Sequence, residues 1–245
     1  MTTRRDVDRL RIAVDGIVGM ARSDLAQAFA ALSLANPELS RDALLEVVPA
    51  LVREYGDLSA AVAAEWYEEV RAASVGGTYR AQVGGSAAST DIESSVRWAA
   101  GELFGDNPEQ ALTRLSGALN RHISYSSRDT VRRNVAGDPG RPRYARVPRG
   151  AKTCAFCSML ASRGFVYHTQ TSAGGDWNSF HDDCRCQVVP EWDREQHHIE
   201  GYDPDAMFDK YQTAREAAGS GNPNAILAEM RRLYPDDFTD GVVAT

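Results

Sequence analysis

Nowhere in the 245 residues does an apolar run approach the roughly 18 residues that a membrane-spanning helix needs. The opening stretch MTTRRDVDRLRIAVDGIVGMARSD has an arginine pair and some apolar residues, but Asp15 interrupts it and no small-residue cleavage pattern follows. It reads as a helix and not as a signal peptide. Positive charge is not in surplus: the formal net charge is −7, so nothing global points to nucleic acid or a membrane surface. Cysteine is absent outside residues 154–186, where all four lie. A disulfide-stapled secreted protein usually spreads its cysteines through a smaller chain, and without an export signal the compartment is reducing, where clustered cysteines more often bind metal. Internal repeats and low-complexity tracts are also missing.

What is present is helical periodicity. Residues 4–34 carry Leu10, Val14, Ile17, Val18, Leu25, Phe29 and Leu32 at spacings of three and four. Asn36-Pro37 breaks the run. Residues 40–73 continue it with Leu44, Val48, Leu51, Val52 and Tyr55, then Leu58, Val62, Trp66 and Val70, with Gly56 as a candidate kink. Two long helices across a short turn suggest a helical hairpin. Residues 74–89 are rich in Gly and Ser and read as a loop or linker. Thr90 with Glu93 matches a capping box that opens a helix to about Phe104. Asn107-Pro108 opens another, carrying Leu112, Leu115, Leu119 and Ile123, with a short further helix expected around 127–136.

Prolines and glycines make residues 137–150 an expected extended connection. Residues 187–190 look like a short strand, and Asp203-Pro204 and Asn222-Pro223 each start a helix, with stripes of Met207, Phe208 and Tyr211 and of Ile226, Leu227, Met230 and Leu233. The expected fold is mainly α, with a long N-terminal helical hairpin over 1–75, a helical region over 76–136, a small α+β zinc-stabilised module over 137–192 and a helical tail over 193–245.

The candidate chemistry lies in the third segment. It reads Cys154-x2-Cys157, then 23 residues, then His181-x2-Cys184-x-Cys186. Zinc takes four tetrahedral nitrogen and sulfur ligands, and a two-residue spacer lets two side chains converge on one ion from a tight turn. Two such pairs make a Cys3His site of Cys154, Cys157, His181 and Cys184, with Cys186 as a fifth candidate that could replace either His181 or Cys184 or remain a buried thiol outside the site. No coordination position is left open for substrate, which favours a structural zinc over a catalytic one. Disulfide or redox use is the competing reading, although a thioredoxin-type redox pair needs a βαβ context that this chain does not supply.

The stretches VPRGAKTCAFCSMLASRGFVY and HDDCRCQVVPEW, within residues 146–192, resemble the minor head proteins of tailed phages in the Mu F-like group, in the version found in phages of actinobacteria. The family mark, a Cys-x-x-Cys pair followed by His-x-x-Cys-x-Cys, falls on Cys154, Cys157, His181, Cys184 and Cys186. The resemblance implies a virion protein, assembled in the bacterial host cytoplasm. It would associate with the portal protein at the capsid vertex and assist head assembly or DNA delivery. Major capsid protein, scaffold protein and packaged DNA are further expected partners; a membrane is not. Proteins of this position in actinobacterial phages are also labelled capsid maturation proteases, which makes that activity the alternative.

No catalytic residue is assigned. A protease needs a nucleophile and base within hydrogen-bond reach. Ser158, Ser162, Ser172 and Ser179 with His168 or His181 are the candidates, but there is no Gly-x-Ser-x-Gly elbow and no His-Glu-x-x-His helix. His168 reads as an exposed strand residue in Phe165-Val-Tyr-His, and His197-His198 as solvated surface. Residues 126–152 hold eight basic side chains against two acids. Within them Arg132, Arg133, Arg141, Arg143, Arg146 and Arg149 form a candidate polyanion contact, since Arg binds phosphate bidentately; pairing with the protein's own carboxylates is the competing reading.

Overall fold

Thr3 caps the first helix, α1 (Arg4–Ala30): its hydroxyl accepts from the Asp6 amide while the Asp6 carboxylate accepts from the Thr3 amide. The computed structural model describes residues 1–148, 152–168, 182, 184 and 186–241. Every buried side chain of α1 is apolar, from Val7 and Leu10 to Leu25 and Phe29. All but Val7, which joins Ala145, Val147 and Val189 in a second cluster, pack on α2 (Pro37–Val75), which contributes Leu44, Val48, Val52, Tyr67 and Val70. Each such burial stabilises by roughly 1.5–3 kcal/mol. The expected hairpin is present, and Trp66 donates from its indole to the Asp6 carbonyl, pinning α2 to the first turn of α1 (2.8 Å).

Two details of α2 differ from the periodicity. Leu58, placed on the stripe, is 43% exposed, and Ser59, Ala60 and Ala63 take the inward positions. Gly56 does not end or divide the helix. A Cβ there would lie 2.9 Å from the Ser126 hydroxyl, so glycine serves a close approach of α2 to a later helix.

That helix is α4 (Gln110–Gly137), reached through α3 (Ser89–Ala100) and a short 3-10 turn over 101–104. The expected Thr90–Glu93 capping box is not formed. The helix starts earlier, with Ala88 as N-cap and no side-chain cap, and the Thr90 carbonyl accepts from Ser94. α4 is one helix where two were expected. Residues 124–134 are polar enough to read as a break, but Ser124, Ser126, Ser127, Arg128, Asp129, Thr130 and Asn134 are all buried.

Asp129, Thr130 and Asn134 take partners from the Gly/Ser-rich segment, which is a strap and not a free linker. The Gln82 amide donates to Asn134 (2.8 Å), the Gly84 amide to Thr130 (2.9 Å) and the Gly85 amide to Asp129 (3.0 Å). The Asn134 side-chain amide returns a bond to the Gln82 carbonyl (2.8 Å). A Cβ on Gly84 would sit 2.6 Å from the Thr130 nitrogen, so only glycine fits against the helix backbone there. One apolar cluster runs from α1 through α4 to Tyr144, Tyr167 and Val188, joining the segments expected as 1–75, 76–136 and part of 137–192.

After α4, Asp138 accepts from the Tyr67 hydroxyl (3.0 Å), Arg71 (2.9 Å), the Trp192 indole (3.1 Å) and the Gly140 amide (2.7 Å). Residues 137–150, expected to be irregular, contain β1 (Arg143–Pro148), which pairs antiparallel with β2 (Cys186–Glu191) in the register Arg143↔Glu191 to Pro148↔Cys186. Tyr144 also bridges Tyr167, through which the expected 165–168 strand touches the sheet. Between the strands lies α5 (Ala155–Ala161). The tail forms α6 (Pro204–Ala218) and α7 (Pro223–Leu233), capped by Asp203 and Asn222 as their Asx-Pro pairs predict. α7 packs Ile226, Leu227 and Met230 against Ala155 and Phe238, while Phe208 of the expected α6 stripe is 43% exposed. Among the described residues no helix is long and apolar enough to cross a membrane.

Candidate metal centre

Cys154 is the N-cap of α5, and its sulfur accepts from the Cys157 amide at 3.3 Å. A Cys at the cap and another at the third helical position leave both thiols on the inward side of one turn. The tail braces this turn. Thr239 donates to the Thr153 carbonyl (3.0 Å), and the Ala155 amide donates to Asp240, which also pairs with Arg231 at 2.7 Å. Cys186 opens β2 and Cys184 lies two residues before it.

The two pairs meet. Cys154, Cys157, Cys184 and Cys186 form one buried cluster of free thiols. The sulfurs of Cys157 and Cys184 are 3.4 Å apart, and those of Cys157, Cys184 and Cys186 all lie within 4.8 Å of one another. Zinc–sulfur bonds of about 2.3 Å place tetrahedral ligands about 3.8 Å apart, so these separations fit a single ion. Cys186, the fifth candidate by spacing, thus joins Cys157 and Cys184. His181 lies outside the described residues.

The electrostatics suit a cation. Hydrogen bonds from the Cys157 and Cys186 thiols, with help from the Arg128 guanidinium, hold Cys184 well below the usual thiol range. The bonds that Cys157 makes to Cys154, Cys184 and Cys186, together with burial, push it up. Protons are thus shared among closely spaced sulfurs, and a soft divalent metal displaces such protons when it binds.

A family model described as VG15 protein matches residues 1–214. The chain belongs to the VG15 protein family. Two relatives are both phage proteins. The Gene 15 protein of Mycobacterium phage D29 is 30% identical, over 54% of this chain and 63% of the relative. The Gene 15 protein of Mycobacterium phage L5 is 28% identical, over 36% of this chain and 43% of the relative. The chain therefore spans less than two thirds of the length of either. No solved structure matches it.

The family match covers the cysteine cluster and all the arginines of the basic segment, and the structure turns much of that segment inward. Arg146, 1% exposed, lies in the interior with its guanidinium 5.9 Å from the centre of the Phe156 ring, so it cannot meet a polyanion at the surface as expected. Arg132 and Arg133 both pair with the buried Asp129, Arg133 at 2.5 Å. Arg143 donates to the carbonyls of Arg194 (2.8 Å) and Asp193 (3.4 Å). Arg141 is exposed, at a turn where its φ is 47°. Arg149 lies outside the described residues. Missed at the sequence level was Arg128, buried and bonded to the backbone of both Cys184 and Cys186.

The serine–histidine candidates fare differently. Ser172, Ser179 and His181 lie outside the described residues. Ser158 is buried in α5, Ser162 donates to the Met159 carbonyl at 2.8 Å, and His168 is exposed. A pair that spacing did not suggest joins α3 to α4: Ser95 and the Nε2 of buried His122 are 3.0 Å apart. Ser95 donates to the Asp91 carbonyl and accepts from Arg121, both at 2.8 Å. With its proton committed to a carbonyl, the serine accepts from His122, which is the reverse of the polarity a general base needs.

Proposed function

We propose that this chain is a minor head protein of the phage particle, acting at the portal vertex in head assembly or DNA delivery, with its cysteine module held by a structural zinc. The observation that carries the reading is the convergence of Cys157, Cys184 and Cys186, with Cys154 in the same buried cluster, on the Mu F-like cysteine pattern of a VG15-family chain. Burial supports a staple and not a reaction centre: the four cysteines are at most 7% exposed. The portal protein is the expected partner. Capsid or scaffold protein and packaged DNA are secondary ones, the last through the partly exposed Arg133 and Arg141.

Elemental analysis of the purified protein, mass spectrometry of purified virions and copurification with portal protein test this together. Expected are one zinc per chain, the protein in mature particles, and a portal complex. Virions without the protein and no portal complex would sink the head assignment. The alternative, a capsid maturation protease, has Ser95 and His122 as its closest described serine–histidine pair. Unimpaired capsid or scaffold processing with Ser95→Ala would remove that pair from consideration.

A further inference from the structure

Arg128 reaches the cysteine cluster from α4, yet it touches the chain that carries the thiols and not a surface. Its Nε donates to the Cys186 carbonyl at 3.0 Å and its Nη2 to the Cys184 carbonyl at 2.9 Å. These are adjacent donors on one edge of a planar guanidinium, so both carbonyls are fixed by a single rigid group. The carbonyl carbon of each cysteine is bonded directly to the Cα that carries its thiol arm. A fork that holds both carbonyls therefore also fixes the direction of both sulfurs.

The sheet leaves room for this. Tyr144 turns its amide and carbonyl away from β2, to Tyr167, so by alternation Pro148 and Cys186 form a non-hydrogen-bonded pair and the Cys186 carbonyl faces away from β1. Arg128 supplies a donor there instead. Its charge matters as well. A divalent ion with three or four thiolates carries net negative charge, which is costly in an interior unless offset, and Arg128 is only 5% exposed.

We propose that Arg128 is the positioning residue of the metal centre. It holds the Cys184 and Cys186 carbonyls in the placement that presents both thiolates to the ion, and it offsets their charge. The proposal rests on the reading of the cysteine cluster as a zinc site.

The test is zinc affinity of the full chain, by competition with a chromophoric chelator, in wild type, Arg128→Met, Arg128→Lys and the surface control Arg97→Met, on an exposed face of α3. Wild type and the control are expected to bind alike. Arg128→Met is expected to weaken binding about 10- to 100-fold, the usual cost of losing a group that orients metal ligands. Arg128→Lys keeps the charge but not the fork and is expected to fall between. The visible spectrum of the cobalt-loaded protein gives a second readout, with the thiolate bands altered in Arg128→Met. Affinity of Arg128→Met within about twofold of wild type, with zinc still bound, overturns the positioning role alone. Wild type that takes up no zinc overturns both this role and the metal reading. Where Arg128→Met fails to fold by circular dichroism, Arg128→Lys decides, because undiminished affinity there shows that the fork is not needed.

Discussion

Helix α1 buries eight side chains and all of them are apolar, whereas α4 from His122 onward buries His122, Ser124, Ser126, Ser127, Arg128, Asp129, Thr130 and Asn134 among only a few apolar neighbours. The N-terminal hairpin is therefore held by burial that is non-directional and tolerant of small shifts. The region where α4 meets the strap, the strands and the cysteines is held by directional bonds, each of which costs free energy if one partner is lost. The first region sets where the helices lie; the second fixes, to within a hydrogen bond, where the thiols sit.

The largest expected effect separates the two regions outright. Stripping the proposed zinc with a chelator, or replacing Cys157 with Ser, is expected to remove a contribution that reaches on the order of 10 kcal/mol in small zinc modules. Hydrogen exchange reads the outcome by region. Protection is expected to fall over residues 153–161 and 186–191 while α1 and α2 keep theirs. Equal loss of protection in α1 would mean that the hairpin and the cysteine module unfold as one unit.

Leu25→Ala probes the other side of the comparison. Leu25 is fully buried in the apolar cluster, so the cavity left behind is expected to cost about 2–5 kcal/mol in denaturant unfolding, with zinc affinity unchanged. A change in zinc affinity would show that the apolar bundle reaches the thiols.

This same contrast governs what the sequence makes legible. Hydrophobic period three-to-four marks Leu10 to Phe29 and Leu44 to Val70 because apolar packing leaves a repeat in the chain, and the Asx-Pro caps of α6 and α7 are local signals. Cysteine spacing picks out the thiols that meet. The strap, the unbroken α4 and β1 are not legible, since a bond such as Gln82 to Asn134 joins residues far apart whose polarity looks like loop. The arginines mislead for a related reason: composition records charge, and only the fold shows that Arg146 and Arg128 face inward.

His122 gives a pH-dependent test at the junction of α3 and α4. Burial, reinforced by the charge of Arg121, lowers its pKa from 6.5 to about 4. The unfolded chain therefore takes up a proton below about pH 6.5 that the folded chain refuses until about pH 4. Stability is present in full above pH 6.5 and is lost as pH falls through that window, by about 3 kcal/mol in all. His122→Gln is expected to remove this component, read as the difference between the two proteins in urea midpoint against pH. Parallel curves for the two proteins between pH 6.5 and 4 would show that His122 is not held neutral in the fold.

The smallest effect sharpens the account of the strap. Asn134 accepts from the Gln82 amide and the Tyr79 hydroxyl and donates to the Gln82 and Thr130 carbonyls, so one side chain serves both α4 and the strap. Asn134→Ala leaves the Gln82 amide and carbonyl without these partners, at a cost of about 1–3 kcal/mol. Because Gly84 and Gly85 keep their own bonds to Thr130 and Asp129, the loss is expected to stay local. Limited proteolysis is expected to cut the variant within residues 76–88 faster than wild type, with the global unfolding midpoint only slightly lowered. Uniform acceleration of cleavage across the chain would instead make the strap part of the global folding unit, and the directional region would then be as cooperative as the apolar one.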